Sequence, residues 1–324
     1  MMKKLTTYIA SLLVFALTGC DKTVLEFPEN GGVDPTLVNL ALSLEVDPQL
    51  TPYVSGGRSE SLETDWNDVR WIVEVFRDEI SGEPVEKQVL VCEQAPDGHH
   101  KIHTNLKLHA ARYHIVAWMD YVDNGSTADK YYMVNSLSSI KIPETENYIG
   151  DEDCKATYVA KQEIDLRSYS DQWNATVDAL VTLQLPMAKI EFITTDAGNM
   201  DVSTMQVQVE YAGYFPSGFN AYLNKPNDAR TGVTFGCFMK PLTDGEAHLA
   251  GDYIFVNGSE SAVKVNLIIR DAGGNLLNKV EGIDVPIVRG KLTAIRDEFL
   301  TRDYIPGIGI DPDFDGEINI VIPD

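Results

Sequence analysis

Apolar and polar residues alternate with a period of two along much of this sequence. Between Val38 and Val46 every second residue is aliphatic, and the residues between them are Asn, Ala, Ser and Glu. Successive side chains of a strand point to opposite faces, so this pattern predicts a strand that is buried on one face. Short apolar segments recur after it, and we predict further strands over Val69–Arg77, Val85–Cys92, Lys101–His109, Tyr113–Tyr121, Tyr131–Val134 and Tyr158–Leu166.

A second series of predicted strands follows residue 180. After Val181, Leu183 and Leu185 it comprises Ala188–Thr195, Met205–Tyr211, Gly232–Phe238, Tyr253–Asn257, Ala262–Arg270, Leu276–Val280, Lys291–Phe299 and Glu317–Ile322. Gly273-Gly274-Asn275 predicts a tight hairpin, because glycine tolerates positive φ. Only residues 172–180 have a spacing that suits a helix. Many short strands separated by turn residues predict an all-β fold built from sandwiches or barrels.

The first twenty residues are organised like a bacterial lipoprotein signal. Two lysines precede an apolar run from Tyr8 to Leu17, and the run ends in Leu-Thr-Gly-Cys20, which resembles a lipobox. A run of about 10 apolar residues is too short to cross a bilayer, which takes about 20. We therefore predict that residues 1–19 are a signal peptide and that lipid on Cys20 attaches the mature chain to the membrane.

The mature chain is long enough for two domains. Removing 19 of 324 residues leaves 305, of a sequence that is 44% hydrophobic and 23% charged. Residues 20–36 are rich in turn-forming Pro, Asn and Gly, so we predict a lipidated stalk. The predicted domains are residues 37–172 and 173–324, with a boundary near Ser168–Asn174.

Charge and cysteine usage narrow the class of protein. The formal charge of −23 becomes −25 when the two lysines of the signal peptide are removed. Such an acidic chain without clustered Lys and Arg is not expected to bind nucleic acid. The remaining cysteines, Cys92, Cys154 and Cys237, lie far apart in the sequence, permit at most one internal disulfide and form no CxxC motif.

Five segments of the chain follow one another in a recognisable order. They are Tyr113–Tyr121, Met187–Asp196, Gly213–Asn220, Asp252–Gly258 and Val285–Thr293. Together they are similar to the fimbrillin-like lipoproteins of Bacteroidales, which include minor, anchor-type fimbrial subunits. The resemblance implies two tandem transthyretin-like β-sandwich domains, a lipid anchor in the cell outer membrane, and other fimbrial subunits or surface proteins as partners. It also implies assembly by β-strand addition, for which an open sheet edge is the physical requirement.

Two segments bear on that assembly. In many polymerising members of the family an arginine-directed protease removes a first strand, and Arg58 lies in a polar loop where such cleavage is feasible. The alternative is an ordinary loop arginine. Near the end of the chain, Glu317–Ile322 can either close its own domain, which we favour, or be donated to a neighbour.

Acidic and imidazole side chains raise the question of metal binding. Asp311, Asp313 and Asp315 match the opening of a calcium loop, but Ile322 stands where a bidentate glutamate is expected. An acidic turn is therefore the alternative to calcium, and we expect no other cofactor. The four histidines at positions 99, 100, 103 and 109 are interpreted as a solvated hairpin rather than as zinc ligands.

The sequence contains no hydrolase, zinc-protease, dinucleotide-binding or phosphate-binding signature. We therefore predict a non-catalytic fimbrial subunit or fimbria-associated adhesin. The alternatives are a glycan-binding surface lipoprotein and an unrecognised hydrolase. Trp66 and Trp173 lie in polar surroundings and are the candidate platforms for a sugar, whereas Trp71 and Trp118 lie in apolar strands and are predicted core residues.

Overall fold

The computed structural model describes residues 37–46, 67–95, 98–172, 174–301 and 317–321. Of residues 317–321 only the main-chain pairing is described. Within them the chain forms twenty strands and four single 3₁₀ turns. The first nine strands are β1 (Leu37–Val46), β2 (Asn67–Arg77), β3 (Glu86–Glu93), β4 (Lys101–His109), β5 (Arg112–Asp123), β6 (Met133–Ser136), β7 (Ser139–Lys141), β8 (Tyr158–Asp165) and β9 (Thr176–Leu183). The others are β10 (Met187–Thr194), β11 (Gln206–Tyr211), β12 (Phe215–Asn220), β13 (Lys225–Arg230), β14 (Thr234–Phe238), β15 (Lys240–Pro241), β16 (Ala247–Phe255), β17 (Glu260–Arg270), β18 (Leu276–Val288), β19 (Leu292–Asp297) and β20 (Glu317–Val321). The predicted all-β fold is confirmed.

Two sheets are made only from strands that precede residue 184. One has the order β4-β1-β9 and the other β3-β2-β5-β8. β1 lies at the centre of the first sheet, antiparallel to β4 and parallel to β9. The alternation that predicted β1 corresponds to its burial, because every second side chain points into the core.

Two further sheets are made only from strands that follow residue 186. Their orders are β15-β16-β10-β19-β20 and β14-β11-β17-β18. β17 and β18 are joined by the predicted hairpin, in which Gly274 adopts a φ of 81°. That left-handed conformation is the reason for glycine at this position.

A fifth sheet combines strands from both parts of the chain. Its order is β13-β12-β7-β6, and β7 pairs with β12 in the register Lys141–Gly218 and Ile140–Phe219. Gly218 is required at this crossing, since a Cβ atom there would lie 2.8 Å from the Cβ of Asp228. The earlier and later strands are therefore joined by main-chain pairing as well as by side-chain packing.

Aromatic packing fills the space beside this fifth sheet. Trp118 of β5 lies 6.1 Å from Phe219 and 6.5 Å from Phe255, measured between ring centroids. Phe219 and Phe255 stack on each other at 4.9 Å. Trp71 and Trp118 are fully buried, which confirms them as core residues.

The segment after residue 172 differs from its predicted form. The helix predicted over residues 172–180 is wrong, because residues from Thr176 onward form β9 and pair in parallel with β1. Although β9 follows the predicted domain boundary, its partner strand belongs to the earlier part of the chain. The domain boundary at residue 172 remains a prediction. The two sheets made from earlier strands and the two made from later strands are separated at residues 184–186.

Candidate functional site

The first candidate site is the position that β1 occupies between β4 and β9, which we call the seat of β1. The five inward side chains of this strand, Val38, Leu40, Leu42, Leu44 and Val46, are each at most 3% exposed. β1 is hydrogen-bonded on both sides, so its removal would leave β4 and β9 without a neighbour and uncover an apolar groove. The seat is therefore a place where a strand of matching alternation can be held along two edges.

The second candidate site is the edge at β19. β20 pairs with β19 in parallel from Leu292–Glu317 to Arg296–Val321, and the described residues place no strand on its other side. Parallel pairing is slightly weaker per residue than antiparallel pairing. β20 therefore closes a sheet of its own chain, which is the alternative favoured from the sequence, and it is held there by a single short ladder, in contrast to β1.

A buried ionic cluster lies where residues 148–155 meet β10 and β16. Asp252 of β16 accepts hydrogen bonds of 2.6 Å from the phenols of both Tyr148 and Tyr211. Its second oxygen accepts from Lys155 Nζ and from the backbone N–H of Tyr253. These four donors occupy the acceptor positions of the carboxylate, so no oxygen of Asp252 is left for proton transfer. The arrangement holds residues 148–155 against β16.

Burial controls the protonation of this cluster. It lowers the pKa of Lys155, and the charge of Asp252 offsets only part of that effect. Burial, followed by the charge of Asp252, raises the pKa of Tyr148 and of Tyr211 well above the ordinary range. Both phenols therefore remain donors to Asp252 over the physiological pH range.

A second group of charges lines a cavity of about 140 Å³ beside the cluster. Lys189 pairs with Asp153 at 2.8 Å and with Glu191 at 2.9 Å. Asp151 pairs with His248 at 2.5 Å and with Lys240 at 2.6 Å. Burial alone would raise the pKa of Asp151, but His248 and Lys240 lower it below its ordinary value.

The residues singled out in the sequence as site candidates lie outside the described part of the chain. Cys20, Arg58, Trp66 and Trp173 belong to this group, as do the three aspartates Asp311, Asp313 and Asp315. Lipidation, processing, sugar stacking and calcium binding at these positions remain predictions. Within the described ranges, no group of three or more His, Cys, Asp or Glu residues could hold a metal ion.

The histidines do not act as one group. His103 and His109 lie on the exposed face of β4, as their even spacing predicts. His100 is buried instead, and its Nε2 lies 2.9 Å from the hydroxyl of Tyr121. The Nδ1 atom of His100 accepts from the backbone N–H of Ala95 at 3.3 Å. His100 therefore fixes a loop and is not part of a solvated hairpin.

Cys92, Cys154 and Cys237 are free thiols. Burial raises the pKa of Cys154 and of Cys237 to about 12. Thiols that remain protonated are poor nucleophiles, so these two are structural. In the described ranges, the structure contains no helix with the length and apolar character needed to cross a membrane.

Most of the sequence matches one family model. This model, described as a family of unknown function (DUF6562), covers residues 35–323. The chain belongs to this family. No curated protein matches this DUF6562 chain.

Solved structures resemble the chain at low sequence identity. A candidate polysaccharide-binding protein of Bacteroides thetaiotaomicron is 11% identical with a TM-score of 0.44, over 75% of this chain and 79% of that one. The fimbrial anchor protein Mfa2 of Porphyromonas gingivalis is 9% identical with a TM-score of 0.41, over 76% and 82%. A fimbrial assembly protein of Parabacteroides distasonis is 12% identical with a TM-score of 0.41, over 80% and 90%.

Sequence reasoning missed the ionic clusters. Lys189 and Glu191 interrupt the apolar run of β10, and both are buried. Asp252 likewise interrupts the apolar run of β16. A charged residue in the middle of an otherwise apolar strand was the available signal, because a buried charge requires a partner.

Proposed function

We propose that the protein is a non-catalytic surface lipoprotein of the cell outer membrane that serves as a fimbrial subunit or fimbria-associated adhesin. In this proposal it assembles with other subunits by β-strand addition. The observation that carries the proposal is the position of β20, which among the described residues is held along one side only. Such a strand can exchange its intramolecular partner for the edge of another chain at little net cost in main-chain hydrogen bonds.

The two terminal strands have different roles in this proposal. β1 fills a groove in the middle of its sheet, and five buried side chains hold it there. It stays in place unless the chain is cut after it, as cleavage at Arg58 would do. β20 is the strand that is donated, because leaving its position breaks one parallel ladder and leaves β10 still paired to β19.

The proposal is tested by mutating the chromosomal gene so that single residues of the terminal strand are changed. Ile320→Asp places a charge on the alternating apolar positions of Glu317–Ile322, whereas Asn319→Asp places one on the other set. We expect immunogold electron microscopy to find the Asn319→Asp protein in surface fibres and the Ile320→Asp protein absent from them. Equal incorporation of two correctly folded variants would contradict strand donation.

A second candidate function, glycan binding at the cell surface, is favoured by one exposed aromatic ring. Tyr214, between β11 and β12, is 81% exposed, and a ring in that position can stack on a sugar. A glycan array probed with the wild-type protein and Tyr214→Ala tests this function. Signals that disappear in the variant would support it, and an array without signals would exclude it for the glycans displayed.

A further inference from the structure

The open sheet edges of the described chain are not equally protected against strand addition. Edge strands of five or more residues are β3, β4, β8, β9, β13, β14, β18 and β20. All except β14 contain at least one charged residue, and β13 and β18 also contain proline. Charges and proline on an edge disfavour pairing with another chain. β14, with the sequence Thr-Phe-Gly-Cys-Phe, has neither.

The backbone of β14 presents free hydrogen-bonding groups at this edge. Tyr211 N–H donates to Val233 C=O at 3.0 Å, and Met239 N–H donates to Met205 C=O at 3.1 Å, on either side of the strand. The main-chain N–H and C=O groups of the odd-numbered residues of β14 therefore point toward β11. Hydrogen-bonded and non-hydrogen-bonded pairs alternate in an antiparallel ladder. The N–H and C=O groups of Thr234, Gly236 and Phe238 consequently point away from β11, toward the open edge.

A groove begins at the same edge and extends over the neighbouring strands of the sheet. Its volume is about 580 Å³, and it is lined by Phe235, Gly236 and Phe238 of β14, by Tyr148, and by Gln206 and Gln208 of β11 and Arg270 of β17. A Cβ atom built on Gly236 would have Val207 O, at 3.8 Å, as its nearest neighbour. Phe238 is 56% exposed beside this gap. A bulky aliphatic residue of an incoming strand would cover both the glycine and the ring, a pairing that stabilises sheet edges.

The position of this edge relative to β20 determines what kind of assembly it would form. β14 packs against β16, whereas β18, at the other end of the same sheet, packs against β19. β20 lies beyond β19, so β14 and β20 occupy opposite edges of the later two sheets. Donation from one edge to the opposite edge of a second copy is a heterologous contact. Such contacts repeat head to tail and form open fibres unless the rotation closes a ring.

We infer that the open edge of β14 accepts the terminal strand of a second copy of this chain. This inference rests on the proposed function and names the sheet edge that accepts the donated strand. Residues Glu317–Ile322 contain no basic residue and provide Ile318, Ile320 and Ile322 as alternating apolar side chains.

The test uses the full mature chain and a synthetic peptide of residues 315–324, with a scrambled peptide as control. Hydrogen exchange resolved to single residues is measured with and without peptide. We expect the amides of Thr234, Gly236 and Phe238 to exchange at least tenfold more slowly with the peptide and unchanged with the scrambled one. Unchanged exchange at these three amides would overturn the inference, and so would protection confined to β19.

Two variants at β14 and one at another edge complete the test. Gly236→Pro removes an outward N–H at an edge position where proline is compatible with a strand, and Phe238→Lys adds a charge. Both should abolish the slowing, whereas Val89→Lys on β3, an edge that already carries charges, should leave it intact. If the Gly236→Pro and Phe238→Lys proteins entered fibres normally while the Ile320→Asp protein did not, the open edge of β14 would not be the acceptor. Strand donation itself would still be supported. Incorporation of all three would refute both.

Discussion

The phenol of Tyr148 donates a 2.6 Å hydrogen bond to Asp252, which joins a loop of the earlier chain to a strand of the later chain. Asp252 is 1% exposed and also accepts from Lys155, which comes from the same loop as Tyr148. A buried carboxylate is tolerated only when its oxygens are hydrogen-bonded and its charge is balanced. This cluster therefore fixes the relative position of the earlier and later strands.

Removing Asp252 should destabilise the protein strongly. Asp252→Ala leaves the ammonium of Lys155 buried without its counter-charge, and such a loss costs about 3–5 kcal/mol. Tyr148→Phe removes one of four donors and should cost about 1–2 kcal/mol. The free energy of unfolding in urea checks both values. Tyr214→Phe, at an exposed tyrosine, is the control and should change it by less than about 0.5 kcal/mol. Equal effects of Asp252→Ala and Tyr214→Phe would contradict the role of the cluster.

The pair of Asp151 and His248 predicts a loss of stability in acid. The folded-state pKa of Asp151 is lowered, so its ionised form is favoured by folding. That contribution is fully present above the unfolded pKa of about 3.9 and is lost as the pH falls through the lower folded value. Asp151→Asn should therefore reduce the free energy of unfolding by about 2 kcal/mol at pH 7.

The same comparison repeated at decreasing pH isolates the contribution of the carboxylate. The difference between wild type and Asp151→Asn should shrink as the pH falls below about 4. Chemical unfolding followed by circular dichroism at several pH values between about 3 and 7 checks it. A difference that stays constant over this range would show that the ionised form of Asp151 is not what stabilises the junction.

Period-two alternation was sufficient to predict the strands that bury one face. Val38–Val46 became β1, and Lys101–His109 became β4 with the predicted bounds. The fifth sheet was less visible, because β7 is three residues long and β13 contains Pro226 and Asp228. These strands form through tertiary pairing and not through local preference. The same override explains β9, which pairs with β1 in place of the predicted helix.

The junction clusters could be anticipated only in part. Residues 151–153 read Asp-Glu-Asp, which in a sequence is indistinguishable from a solvated acidic loop. Their partners Lys189 and His248 are distant in the sequence, and no local pattern specifies that a loop will cross two later strands. The acceptor edge at β14 was also hidden, since an edge is defined by the strands that do not pair beside it.

Lipid attachment is a separate prediction. Cys20→Ala removes the sulfur that would carry the diacylglyceryl group, so the protein should move from the membrane to the soluble fraction. Cell fractionation and metabolic labelling with an alkyne-modified palmitate check this. Ser11→Ala, inside the apolar run, serves as the control and should leave both lipid and location unchanged. Membrane retention of labelled Cys20→Ala would contradict the lipobox assignment.

The seat of β1 predicts that a chain cut after Arg58 depends on a replacement strand. A chain beginning at residue 59 lacks five buried aliphatic side chains and should be insoluble or melt far below the mature protein. A peptide of residues 37–46 should restore its solubility and raise its melting temperature. The matched peptide with Leu40→Asp and Leu42→Asp should not. A chain from residue 59 that melts like the mature protein would show that the seat needs no strand.

Cysteine crosslinking of the terminal strand in living cells is the most direct test of assembly by strand donation. Ala294 and Asn319 are directly paired between β19 and β20. In a chain whose natural cysteines after Cys20 are replaced, Ala294→Cys with Asn319→Cys reports the intramolecular position. Thr234→Cys with Asn319→Cys reports transfer to β14. Strand donation to β14 predicts a ladder of covalent multimers for the second pair in cells that display fibres. It would be contradicted if the first pair crosslinked completely within single chains and Asn319→Cys formed no bond to any other chain.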